Sequence, residues 1–151
     1  MTVDRSYVTR NDRERARLEA LLARASDADL ARPMPAGWTV AGVLAHAAFW
    51  DERIAVLIAR WRERGVVPLP EDDGEVEWIN DSAKPFILAL SPRRAAEVAL
   101  EIARRVDALV ADLPDEWVER IAAADVINLV RADHRAEHLD EIERELARPE
   151  R

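Results

Sequence analysis

A chain of 151 residues, 49% of them hydrophobic, is long enough to close one domain around a real core, and a single domain over 1–151 is the expectation. Thirty acidic against 22 basic residues leave a formal net charge of -8, with the basic side chains scattered among acids at helical spacing, which argues against nucleic acid as a partner. The chain has no cysteine, hence no disulfide, thiolate ligand or cysteine nucleophile; it also lacks a signal-peptide run and any apolar stretch near the ~18 residues of a membrane span, so a cytoplasmic protein without a membrane partner is expected.

Asn11 with Glu14 three residues on reads as a capping box, and Leu18, Leu21, Leu22 and Ala25 then form one apolar stripe, which predicts a first helix over about 12–25. A linker through Pro33 and Pro35 follows. Thr39 is placed to cap a second helix carrying Val40, Val43, Leu44, Ala47, Trp50, Ile54, Leu57, Ile58 and Trp61, which Gly65 should stop. Residues 66–90, with Pro68, Pro70 and an acidic turn at Glu71 to Glu75, read as a long loop with a short helical turn near Asn80 to Phe86. Ser91-Pro92 signals the start of a third helix through Ala95, Val98, Ile102, Val106 and Val110, ending near Leu113-Pro114. Trp117 to Ile121 bridges to a last helix over about 123–147, whose apolar members are Val126, Ile127, Val130, Leu139, Ile142 and Leu146. The pattern predicts an all-α four-helix bundle with a long connection between helices 2 and 3.

The three histidines carry the chemical signal. His134 and His138 are one turn apart on the stripe that runs from Val130 to Ile142, and His46 lies mid-helix among Val43, Phe49 and Trp50. A lone histidine on an apolar face is usually a hydrogen-bonded core residue. Three of them, all on inward stripes with few polar neighbours, fit better as nitrogen ligands of one divalent metal with a coordination position left open. The run His134 to His138 also matches the inverted zincin pattern, with Glu137 as base. That pattern needs an acidic ligand much farther downstream, and Glu137 turns about 100° from His138 around the helix, so a peptidase is not expected.

Gly37-Trp38-Thr39-Val40, Leu44-Ala45-His46, Phe49-Trp50-Asp51, Asp133-His134 and Glu137-His138 together resemble the DinB-like superfamily of bacterial four-helix bundles, over essentially the whole chain. The superfamily includes DNA-damage-inducible proteins, YfiT-like metal-dependent hydrolases, and thiol S-transferases that use bacillithiol or mycothiol, with the mycothiol-dependent maleylpyruvate isomerase among its relatives. The resemblance implies nickel or zinc held by His46, His134 and His138, and a homodimer.

A three-histidine site would activate either water or an external low-molecular-weight thiol, mycothiol-like, toward a small-molecule substrate. The expectation is a metal-dependent thiol S-transferase; the alternatives are a hydrolase of the YfiT type and a non-catalytic small-molecule or metal-binding stress protein. Glu141, three residues after His138, is the candidate catalytic acid-base group. Asp51, Asp133 and Glu137 are read as surface charges. Arg53, Arg131 and Arg135 are candidates to hold a substrate carboxylate or phosphate, although a solvated face is the plainer reading of each. Asn80 is placed near the pocket mouth, and Trp38 and Trp50 either line the cavity or belong to the core.

Overall fold

The computed structural model describes residues 2–65, 73–125 and 127–149, without the side chains of residues 64, 73–75, 77 and 78. The chain is mostly helical, and its core is built by four packed helices: α1 (Ser6–Arg24), α3 (Val40–Arg64), α5 (Pro92–Ala111) and α7 (Ala132–Leu146). The short α2 (Asp27–Ala31), α4 (Asp73–Leu88) and α6 (Asp115–Ala124) elaborate this four-helix-bundle-like core. Between α2 and α3, β1 (Pro33–Met34) and β2 (Trp38–Thr39) pair antiparallel around a tight turn in which Ala36 and Gly37 both take positive φ. Among the described residues no helix is long and apolar enough to cross a membrane.

The boundaries of α3 follow the sequence closely. The Thr39 hydroxyl accepts the Gly42 N–H at 3.0 Å, and Gly65, at φ 82°, closes the other end. Three expectations are corrected. The first helix begins at Ser6, so Asn11 is not its cap; it lies inside α1, buried, and serves another helix. Its Oδ1 accepts the Ala132 N–H and its Nδ2 donates to the Leu129 carbonyl, both at 2.9 Å, so one side chain satisfies backbone groups at the start of α7. For that reason α7 begins at Ala132 and not near 123. Residues 115–124 form α6, which ends where Asp125 turns left-handed at φ 50°, and the apolar spacing of Ile127 and Val130 belongs to an irregular link.

The third correction concerns the connection read as a long loop with a short helical turn near Asn80 to Phe86: that turn is part of the 16-residue α4, with Pro85 inside it. Prolines and acids before it mask a helix that is anchored from outside. Leu88 approaches Gly42 of α3 so closely that a Cβ there would lie 3.0 Å from its Cδ2, and Trp50 Nε1–H donates to Asn80 Oδ1 at 2.8 Å. Pro68, Pro70, Glu71 and Val126 lie outside the described residues.

The buried apolar side chains form two clusters. One gathers Leu18, Leu21, Leu30, Val40, Leu44, Leu139 and Ile142; the other gathers Tyr7, Ile58, Trp61, Val106, Val110, Val118 and Ile121. The buried polar residues Asn11, Asp51, Arg131 and Arg135 come between them in chain order, as in Tyr7, Asn11, Leu18 on α1 and Ala48, Asp51, Ala55 on α3, and Asp107, beside Val106 of the second cluster, joins them through Arg135. Among the described residues no buried side-chain nitrogen or oxygen lacks a hydrogen-bond partner, so this polar layer is fully satisfied.

Candidate metal centre

His46 projects from α3 toward His134 and His138 of α7. The ring centroids lie 5.5 Å (His46 to His134), 5.1 Å (His46 to His138) and 4.6 Å (His134 to His138) apart. One ring nitrogen from each of the three comes within 4.8 Å of the others, and all three residues are half-buried. The imidazoles of α7 sit beside its core stripe, formed by Arg135, Leu139 and Ile142, and His46 and His138, though not His134, line a cavity of about 560 Å³ together with Trp38, Asn80, Lys84 and Glu141. That volume is in the range of small-molecule sites.

The hydrogen bonds order these rings. Glu141 Oε2 lies 3.2 Å from His138 Nδ1, which assigns the ring proton to Nδ1 and leaves Nε2 as a lone pair. That Nε2 faces His134 Nε2 at 2.9 Å, so in the metal-free protein the His134 Nε2–H donates to it. A carboxylate behind a histidine whose other nitrogen points at a shared centre is the arrangement that orients metal-binding imidazoles. Nitrogen donors from two rigid helices, with the cavity open beside them, suit a divalent first-row ion and leave room for a further ligand.

Electrostatics keep His46 and His134 deprotonated. Burial, with the neighbouring His138 second, lowers the His46 pKa to about 4 from the ordinary 6.5. His134 is lowered to about 3 by burial and then by the positive charge His138, His46, Arg131 and Arg135 would present. Both are therefore neutral at pH 7, as ligands must be. In the unfolded chain they take up protons near pH 6.5, so the unfolded state binds more protons as pH falls from there toward 4. The metal-free protein is expected to be most stable above about pH 6.5 and to lose stability steadily between pH 6.5 and 4. Urea midpoints measured in chelator at pH 7.5, 6 and 5 test this, and a flat profile between 7 and 5 contradicts it.

Other predicted residues fall into place or out of it. Asn80 reaches the cavity, held by Trp50, and Trp38 lines it with its ring 5.5 Å from that of His46. Asp133 and Glu137 are exposed, Asp133 pairing with Arg10. Asp51 is not a surface charge: it is buried, and its carboxylate accepts from Arg131 Nε at 2.7 Å and from Arg135 Nη2 at 3.1 Å. Those two arginines are committed to that layer and do not line the histidine cavity. Arg53 stacks over Trp50, 4.4 Å from the ring centroid, beside a separate cavity. The cations that do line the histidine cavity are Lys84, Arg144 and Arg148, none of them singled out by the sequence. Lys84 lies on α4, in the stretch expected to form a short helical turn, and donates to the Ala36 carbonyl while sitting 4.9 Å from the Trp38 ring.

Set against curated proteins and solved structures, the chain finds no match. Compared with protein families, it matches the DinB superfamily over residues 10–142, a stretch that contains all three histidines, the whole of α3 and most of α7. The chain belongs to the DinB superfamily.

Proposed function

We propose that the protein is a divalent-metal-dependent enzyme, a thiol S-transferase that takes an external low-molecular-weight thiol and a small electrophilic substrate. The observation that carries this reading is the convergence of His46, His134 and His138, two of which, His46 and His138, line the 560 Å³ cavity. These three residues would hold the metal, nickel or zinc. Bound there, it supplies Lewis acidity, which favours the anionic form of a thiol or water at neutral pH. Homodimerisation comes with the family resemblance, and a cytoplasmic location is the plain reading of a chain without cysteine.

The chain's own groups have definite parts. Glu141 holds the proton on His138 Nδ1, and its carboxylate also lines the cavity, where it takes the thiol proton as the sulfur–carbon bond forms and returns it to the displaced or adjacent atom of the substrate. Trp38 and Asn80 wall the cavity, and Lys84 and Arg144 offer positive charge at its rim. Because the chain has no cysteine, the sulfur comes from the co-substrate. The same carboxylate would serve a hydrolase, taking its proton from water.

The test is elemental analysis of the purified protein, followed by turnover of electrophilic substrates by the nickel- or zinc-loaded protein with and without a low-molecular-weight thiol. Stoichiometric metal with thiol-dependent product and a loss of about 100-fold or more in Glu141→Gln supports the transferase. Product formed equally well without thiol identifies the hydrolase. Bound metal with neither activity leaves the non-catalytic reading.

A further inference from the structure

Charge-bearing side chains buried between two apolar clusters are costly to desolvate, and hydrophobic residues of similar size are often as stabilising. The layer around Asp51 therefore invites a question about geometry as well as stability. Asp51 uses both carboxylate oxygens on α7: Oδ1 accepts from Arg131 Nε at 2.7 Å and Oδ2 from Arg135 Nη2 at 3.1 Å. Arg131 lies three residues before His134 on the chain, and Arg135 is the residue after it. Asp51 itself lies five residues beyond His46 on α3. The two ties thus join the helices that carry the imidazoles, within about two turns of every ring.

Asp107 provides the contrast. It is just as buried and holds the same Arg135, through Nη1 at 3.0 Å and Nη2 at 3.1 Å, together with Arg15 Nη1 at 2.9 Å. Those bonds tie α7 to α5 and α1, neither of which carries a histidine.

We infer that Asp51 is a positioning residue: by clamping Arg131 and Arg135 it sets the rotation and height of α7 against α3, and so brings His134 and His138 to His46. Asp107 stabilises the same layer without setting that geometry. The consequence for metal affinity rests on the metal-centre reading given above; the consequence for ring geometry does not.

The experiment compares the wild type with Asp51→Asn and Asp107→Asn. Both variants keep the side-chain shape and remove one buried negative charge. In the metal-free proteins, proton NMR contacts between the His46 ring and the His134 and His138 rings are measured. Cobalt(II) is then titrated, following its visible absorption bands and its affinity. Asp51→Asn is expected to lose or weaken the cross-helix ring contacts, change the cobalt spectrum and bind cobalt at least about tenfold more weakly, the scale seen when partners behind metal ligands are removed. Asp107→Asn is expected to be less stable than wild type in urea yet keep the ring contacts and the cobalt spectrum. Wild-type ring contacts and affinity in Asp51→Asn, or an equal loss in Asp107→Asn, overturns the inference. If the wild type binds no cobalt, the metal-centre reading falls while the ring contacts still decide the role of Asp51. Should Asp51→Asn fail to fold, Arg131→Gln, which keeps the Asp51–Arg135 pair, is read in the same two ways. A smaller change in the same direction is expected there, and an unchanged centre counts against the inference.

Discussion

Replacing His134 with alanine is expected to abolish stoichiometric metal binding. Loss of a partner behind a ligand already costs about 10- to 100-fold in affinity, so loss of a donor should exceed the upper end of that range. His134 supplies one of the three convergent ring nitrogens, and its Nε2 faces His138 Nε2 at 2.9 Å, so no neighbouring imidazole replaces it. The metal-free fold should tolerate the change, because His134 is half-buried and its ring bonds to His138. Elemental analysis and calorimetric titration with nickel or zinc, beside circular dichroism of the metal-free protein, give the answer. A variant that retains one metal per chain removes His134 from the ligand set.

Arg135→Ala is the second large effect, this time on stability. Its guanidinium is 4% exposed and bridges Asp51 and Asp107 across the layer between the two apolar clusters. Burial alone would lower its pKa, yet the two carboxylates hold it above the ordinary value, so it stays charged. Removing it leaves two buried carboxylates competing for fewer cations. Breaking a buried pair from one side costs about 3–5 kcal/mol. Against a total stability of about 5–15 kcal/mol for a domain, that is about a fifth or more of what holds the chain folded. The exposed Arg10–Asp133 pair makes a useful control, since disrupting a surface ion pair costs about 1 kcal/mol or less. Urea midpoints of Arg135→Ala and Arg10→Ala measure both, and similar losses would show that the inner layer contributes no more than the surface does.

The contrast between what the sequence conveyed and what it concealed has physical causes. Local signals worked where a helix end is settled by its own residues, as at Thr39 and Gly65 around α3, and where period alone aims a side chain, as with His46, His134 and His138. They failed where the deciding partner is remote. Asn11 looked like a cap because it precedes Glu14 by three residues, but its amide is used by α7, more than a hundred residues on. The apolar period through Val126, Ile127 and Val130 continued that of α7 and concealed a helix end at Asp125. The α4 helix was hidden because its anchors, Trp50 and Gly42, belong to α3.

The inner charges were within reach of the same periodic reasoning. Asp51 is seven residues from both Leu44 and Ile58, and Arg135 is seven before Ile142, all three of those apolar residues being buried. A charge at an inward position seven residues from core neighbours signals a partner inside. Their charge was allowed to outweigh their place on the stripe, and the pairing of Asp51 with Arg131 and Arg135 went unread.

That pairing also divides the molecule's labour. Since the charged belt lies between two oily compartments, each end of the bundle has its own interior, and Leu18 and Leu44 of one share the wall of a small cavity with His138. Changes among Trp61, Val118 and Ile121 therefore act on the packing of the far end, while changes around Leu44, Leu139 and Ile142 act on the packing beside His138. The packing of the two ends can thus vary separately in this protein, on opposite sides of one ionic partition.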